Sequence, residues 1–224
     1  MDTDQKIGLA TPLGFRSAFR FPLQSKSARR ELVIGAIWLF VPFVGWILNM
    51  GHRIMMTHRM QNGLSAWPAW NDYPSLLKHG TITFLGMVEY HAPAVLCYAL
   101  AYILEIDWLY PVSAFLWLIA TIAVPGYMSH YCLSFDTREV FDPLKAMRRV
   151  FQGGSAYWQA WSIAISALLI SFSGFIAFGV GFLVTSVWFW QVAGFSFATV
   201  FSEKFQLKRG ANQSAHTTPA SAPR

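Results

Sequence analysis

The fold is decided by residues 153–202, GGSAYWQAWSIAISALLISFSGFIAFGVGFLVTSVWFWQVAGFSFATVFS, which contain no Asp, Glu, Lys or Arg. A helix needs roughly 20 apolar residues to cross the ~30 Å hydrocarbon layer of a membrane, so this stretch has the length of two crossings and a turn. Gly174, Gly179 and Gly181 lie in its middle, where glycine favours a reversal of the backbone. We therefore predict a hairpin of two membrane-spanning helices.

The composition of the whole chain supports a membrane protein. Of its 224 residues, 54% are hydrophobic and only 12% are charged, whereas about a quarter of residues are charged in soluble domains. The first thirty residues are polar and basic, so we expect no cleavable signal peptide. The sequence predicts an all-α, polytopic integral membrane bundle in a prokaryotic plasma membrane or an internal membrane.

Three segments follow from the apolar pattern. Residues 1–31 form a basic, aromatic N-terminal segment, residues 32–202 a single transmembrane domain, and residues 203–224 a polar tail that we expect to be disordered. The apolar spans within the domain are predicted at about 32–51, 80–104, 108–128, 155–174 and 180–202.

Because of the first of these spans, the sequence is compatible with either four or five membrane crossings. Five crossings would divide the basic residues between the two sides of the membrane, although such residues normally collect on the cytoplasmic side. If the segment 32–51 were instead re-entrant, with its turn at Pro42, all seventeen Lys and Arg residues would lie on the cytoplasmic side. We favour the re-entrant arrangement, because Pro42 divides the segment into arms too short to cross.

Two short helices are expected to lie in the membrane interface. At helical spacing Phe15 and Phe19 share one face and Arg16 and Arg20 the next, and Pro22 would end this helix. A disordered basic tail is the alternative for this segment.

The second interfacial helix is predicted between Pro143 and Gln152, ending at Gly153-Gly154. Its apolar face comprises Phe141, Leu144, Met147 and Phe151, and its basic face comprises Lys145, Arg148 and Arg149. Arg16, Arg20, Lys145, Arg148 and Arg149 are therefore predicted to contact lipid headgroups. Membrane lipids, anionic ones in particular, are the expected partners, together with other membrane proteins; nucleic acid is not expected.

Glu89 and His91 are the candidate polar site within the membrane. Glu89 lies inside the second span, where an unpaired carboxylate is costly, so we expect it to be buried against other helices. It would then serve either as a proton or cation site or as a neutral, hydrogen-bonded structural residue. The two residues are two positions apart and do not share a helical face, which weakens a paired mechanism.

No other motif in the sequence predicts a catalytic or cofactor-binding site. No HExxH motif, Cys-His cluster, phosphate-binding glycine loop or catalytic serine motif is present, so we expect no metal and no cofactor. His52 and His58 are interpreted as interfacial residues among basic neighbours. Small residues at i, i+4 spacing mark predicted helix-packing faces; they are Ser162, Ser166, Gly194 and Ala198.

Part of the sequence resembles a known family. The resemblance rests on Phe21-Pro22, on Gly51-His52-Arg53, on the loop 67–72 (WPAWND) and on residues 76–80 (LLKHG). These motifs resemble a family of small bacterial and archaeal polytopic membrane proteins catalogued as a domain of unknown function. The resemblance covers most of residues 15–205 and implies the architecture but no catalytic residues.

Three functions are compatible with these observations. The first is a non-catalytic scaffold or assembly partner, favoured by the absence of catalytic motifs. The second is a small transporter or channel-like protein with Glu89 in its path. The third is a lipid-acting enzyme, for which only the strip His52, Arg53, His58 and Arg59 offers a polar cluster. We prefer the scaffold hypothesis.

Overall fold

The structure, a computed structural model, describes residues 7–176 and 179–207. It is an all-α bundle, and the described residues contain no β-strand. The seven α-helices of this part of the chain are α1 (Phe15–Arg20), α2 (Lys26–Trp38), α3 (Val44–Gln61), α4 (Tyr73–Leu104), α5 (Leu109–Ser134), α6 (Pro143–Ser171) and α7 (Val180–Lys204).

Four helices are long and apolar enough to cross a membrane. They are α4, α5, α6 with its short continuation to Ile176, and α7. The shortest has 25 residues and, at 1.5 Å per residue, exceeds the ~30 Å of the hydrocarbon layer. Helices α4 and α5 form one hairpin and α6 and α7 another, so the predicted multi-pass membrane bundle is confirmed.

The apolar segment 32–51 forms two helices instead of one. Helix α2 ends at Trp38, the chain reverses through residues 39–43, and α3 begins at Val44. The two helices run antiparallel: Asn49 Nδ2 donates to the carbonyl oxygen of Gly35 at 3.0 Å. The predicted reversal around Pro42 is confirmed, and a single straight crossing over 32–51 is wrong. The side of the membrane from which the hairpin enters remains a prediction.

The N-terminal segment is folded onto the bundle. Helix α1 ends at Arg20 and continues as a 3-10 turn through Pro22, as predicted for the helical alternative. The Phe21 ring stacks on Phe195 of α7, with ring centroids 4.3 Å apart. Trp188 Nε1 donates to the carbonyl oxygen of Phe19 at 3.2 Å. These contacts fix α1 against α7 and leave Arg16 exposed.

Helix α6 has a break where the sequence predicts the end of an interfacial helix. Gly154 has φ 57° and ψ −141°, a conformation open essentially to glycine alone, so the axis changes direction there. The part before the break exposes Leu144 and Phe151, which are 84% and 77% accessible. That this part lies in the membrane interface remains a prediction.

The predicted boundaries at the two ends of the domain differ from the structure. Helix α2 begins at Lys26 and so extends across the boundary at residue 31. Helix α7 continues to Lys204, and Leu207 is buried, because aromatic residues of α7 and α6 cover it. The rest of the tail, and Lys6 near the N-terminus, lie outside the described residues.

Candidate functional site

A cavity of about 410 Å³ lies among α3, α4, α5, α6 and α7. Its wall is apolar and aromatic, with side chains from α5, α6 and α7. The aromatic residues in the wall are Trp117, Trp161, Phe189, Trp190 and Phe197. Its volume falls within the ~300–1,000 Å³ of small-molecule sites in proteins.

Helices α5 and α6 contact each other, and both contribute to the wall of the cavity. Tyr157 Oη donates to the carbonyl oxygen of Ile122, which holds α6 close to α5 just beyond the break at Gly154. Farther along, Trp117 of α5 and Ile165 of α6 line the cavity, and about half of each side chain is exposed. The cavity therefore reaches the apolar surface of the bundle, where Trp190 of α7 is also exposed.

Among the described residues, Arg53 of α3 is the only Lys or Arg in the cavity wall. Arg53 is buried, 7% accessible, and its guanidinium carbon lies 4.8 Å from the centre of the Trp190 ring. Within the described part of the chain its Nε has no hydrogen-bond partner, and no carboxylate pairs with the guanidinium. A buried guanidinium without a counter-charge is costly, because water no longer solvates it.

Gly194 of α7 makes room for the Arg53 stem. A Cβ atom at residue 194 would lie 2.8 Å from both Cγ and Cδ of Arg53. Since carbon atoms do not approach that closely without displacement, only glycine allows this arginine to lie against α7. Gly194 is therefore one of the predicted small packing residues that the structure places at the cavity.

A second, smaller cavity of about 20 Å³ lies on another side of Arg53. Asn49, His52, Trp190 and Gln191 contribute to its wall. Gln191 is buried, and neither its amide nitrogen nor its oxygen has a partner among the described residues. A cavity of this size has room for one water molecule, to which the Gln191 amide would offer a hydrogen bond.

The same region is anchored by a buried acid–imidazole pair. Glu31 Oε2 and His52 Nε2 are 2.8 Å apart, and Glu31 Oε1 accepts a hydrogen bond from the backbone N–H of Ala69. The His52 ring also stacks on Trp70 at 4.6 Å. The interpretation of His52 as an interfacial residue is thus wrong, because Glu31 and the loop before α4 enclose it.

No protein-family model, no curated protein and no solved structure is significantly similar to this chain. The resemblance to a family of unknown function therefore remains a prediction.

Glu89 does not lie where the sequence predicts it. It is exposed on α4, beside Leu85 and Val88, and makes no hydrogen bond or ion pair within the described ranges. The rotation of α4 is fixed by its contacts with α5: Tyr127 Oη donates to the carbonyl oxygen of Thr83, and Ser113 Oγ to that of Ala94. These contacts turn Glu89 away from the other helices, so the predicted burial is wrong.

His91, in contrast, lines the cavity. Its Nδ1 lies 2.8 Å from the carbonyl oxygen of Met87 and its Nε2 lies 3.2 Å from the Thr121 hydroxyl. The ring also packs against Trp117, with centroids 4.5 Å apart. Glu89 and His91 consequently lie on different faces of α4, as their spacing indicates, and do not form a joint site.

The predicted headgroup residues divide into two groups. Arg16, Arg20, Lys145 and Arg148 are exposed, as contact with headgroups would require.

Arg149 is buried and forms an ion pair with Glu139, which also pairs with Lys145. Burial raises the pKa of Glu139, but the hydrogen bonds from Lys145 and Arg149 outweigh this effect and lower it overall. Arg149 is therefore not available for lipid, and its predicted headgroup contact is wrong.

The packing face of α6 also differs in detail from the sequence-based expectation. Ala160, Ile163, Ala164 and Ala167 are buried, whereas Ser162 is exposed and Ser166 is half-buried. On α7, Ala198 is buried as expected. A contact of Ser162 with a partner subunit remains a prediction.

The polar strip that could serve a lipid-acting enzyme is not a surface strip. His52 and Arg53 are buried, His58 Nδ1 lies 2.6 Å from the carbonyl oxygen of Cys132, and Arg59 donates to the carbonyl oxygen of Ser65. No group of three metal-ligating side chains occurs among residues 7–176 and 179–207.

Sequence reasoning missed the buried polar residues that shape the site. Glu31 and Gln191 belong to no recognised motif, and the sequence predicts Arg53 only as part of an interfacial polar strip. The one available signal was the position of Arg53 and Gln191 next to or within apolar runs, where polar side chains usually face the bundle interior.

Proposed function

We propose that this membrane protein binds a single-chain lipophilic molecule, which enters the cavity directly from the bilayer. The observation that carries the proposal is the cavity itself, whose wall is apolar and includes the exposed residues Trp117 and Ile165. Both residues lie on helices long enough to span a membrane.

The wall favours a flexible chain over a compact polar ligand. Only a few polar side chains, such as Arg53, Thr57, His91 and Thr121, interrupt the apolar surface. A chain that fills the cavity gains dispersion contacts with the three tryptophan rings, contacts that an empty cavity would lack. Because lipid is itself apolar, burial of a chain in the cavity brings little hydrophobic free energy, and selectivity must come from shape and polar contacts.

Other functions receive less support. Glu89, the residue suggested for a transporter path, is exposed and does not line the 410 Å³ cavity, and His52 and Arg53 of the strip suggested for an enzyme are buried. A scaffold or assembly role rests on the absence of catalytic motifs and is compatible with ligand binding, since Ser162 remains exposed.

The test is binding of tritiated hexadecanol and tritiated palmitic acid to the purified full chain in mild detergent, with a matched pair of variants. Leu168 lines the cavity, whereas its neighbour Leu169 is 64% exposed on the outer surface. Leu168→Trp should reduce saturable binding of the chains at least tenfold by filling the cavity, and Leu169→Trp should leave it unchanged. Equal binding by the two variants, or no saturable binding of either probe by the unmodified protein, would refute the proposal.

A further inference from the structure

We propose that the molecule in the cavity carries one anionic head group, which is bound by Arg53: a single-chain amphiphile of the long-chain carboxylic acid class. This inference rests on the proposed function and specifies the ligand of the same cavity.

The first support is the missing counter-charge. Two carboxylates of the described residues already have partners: Glu31 pairs with His52, and Glu139 pairs with Arg149 and Lys145. No carboxylate of the described residues lies within 4.0 Å of the Arg53 nitrogens, although this side chain is buried. A ligand carboxylate would supply the negative charge that a guanidinium removed from water requires.

The second support is the way Arg53 is held. Its guanidinium carbon lies over the Trp190 ring, 4.8 Å from the ring centre, and its stem lies against Gly194. A cation over an aromatic ring keeps its N–H groups for hydrogen bonds, and Arg53 Nε has no partner among the described residues. A carboxylate accepts two such N–H groups in a bidentate geometry, which is the strongest arrangement for this pair of groups.

The third support is the distribution of polarity along the cavity. Thr57 lies one helical turn after Arg53 on the same face of α3 and also lines the cavity, so its hydroxyl adds a hydrogen bond near the head group. Trp117, Ile165 and Leu168, on other helices, form the apolar part of the wall. One positive charge and a long apolar wall match a monoanion with one chain.

The experiment compares palmitate, hexadecanol and hexadecyl phosphate, three probes with the same chain length, on the full-length protein in neutral detergent at pH 8.5. We expect the unmodified protein to bind palmitate at least tenfold more tightly than hexadecanol. In Arg53→Gln this preference should disappear because palmitate binding weakens while hexadecanol binding is retained. Arg53→Lys keeps the charge but loses the bidentate geometry, so it should retain part of the preference for palmitate. This variant is the control that separates loss of the charge from loss of the fold in Arg53→Gln.

Each outcome separates the two proposals. Equal affinity of the unmodified protein for palmitate and hexadecanol overturns the anionic head group and leaves the proposed function standing. A preference for palmitate that survives in Arg53→Gln, with both variants folded by their unfolding temperatures, also overturns it. Tighter binding of hexadecyl phosphate than of palmitate supports the anionic head and assigns it to phosphate. Absence of saturable binding of all three probes refutes the proposed function itself.

Discussion

The Glu31 carboxylate and the His52 imidazole lie 2.8 Å apart in the interior of the bundle, with side-chain accessibilities of 4% and 2%. They join α2 to α3, and through the N–H of Ala69 they also hold the loop that precedes α4. The reversal at residues 39–43 is thus held at its base by a buried polar pair.

Replacement of this carboxylate should be strongly destabilising. Glu31→Ala removes the acceptor for two buried donors, and breaking a buried pair from one side typically costs about 3–5 kcal/mol. We expect a markedly lower unfolding temperature of the detergent-solubilised protein. Glu89→Ala is the control, since Glu89 is exposed and has no partner in the described part of the chain. Similar unfolding temperatures for both variants would show that the pair does not hold the hairpin.

Gly194→Ala tests the close approach of Arg53 to α7. The added methyl group would lie 2.8 Å from Cγ and Cδ of Arg53, and overpacking of this kind costs about 1–3 kcal/mol. Gly8→Ala, where nothing lies within 4 Å, should be nearly neutral. The costs of Gly194→Ala and Arg53→Ala should not be additive in the double variant, because Arg53→Ala removes the side-chain atoms with which the added methyl group would clash. Full additivity in this cycle would contradict the contact.

Acid should weaken the contact between the α5–α6 connection and α6. The pKa of Glu139 is lowered in the folded protein, so its contribution to stability is fully present above the unfolded pKa of about 4.3 and is lost as the pH falls through the folded value. We expect the unfolding temperature to fall more steeply below pH 4.5 for the unmodified protein than for Glu139→Gln. Glu203→Gln, an exposed residue on α7, should retain the steep fall.

Arg148 and Arg149 are neighbours with opposite expected roles. Arg148 is exposed, and a basic residue near an anionic surface contributes about 1 kcal/mol, so Arg148→Gln should reduce retention of anionic lipid without altering stability. Arg149→Gln should do the reverse, because it leaves Glu139 without its buried partner. Retained lipid is measured by mass spectrometry of the purified protein and stability by thermal unfolding. A loss of anionic lipid in Arg149→Gln alone would contradict the assignment.

The sidedness of the chain can be measured with single cysteines. In a background without Cys97 and Cys132, cysteines at Thr3 and Ser214 should react with an impermeant reagent from the same side of the membrane. This follows from four crossings and a first segment that enters and leaves by one face. Labelling from opposite faces would establish an odd number of crossings and exclude the re-entrant hairpin.

The sequence alone determined where the long apolar helices occur and where the chain reverses or breaks. Apolar runs near the thickness of a bilayer predict α4 to α7, Pro42 predicts the reversal between α2 and α3, and Gly153-Gly154 predicts the break in α6. These features are local, because hydrogen bonding within a helix and the conformations allowed to proline and glycine depend on neighbouring residues only.

Only the tertiary structure decided which polar side chains face the interior. The sequence predicts a buried Glu89, which is exposed, and gives no indication that neighbouring elements enclose Arg53 and His52. The rotation of a helix about its axis is set by contacts with residues distant in sequence, such as the contact of Gly194 with Arg53. These contacts form together when the helices pack against one another. The cavity and its unpaired guanidinium arise from that packing, because they are formed by side chains from five helices that no local pattern brings together.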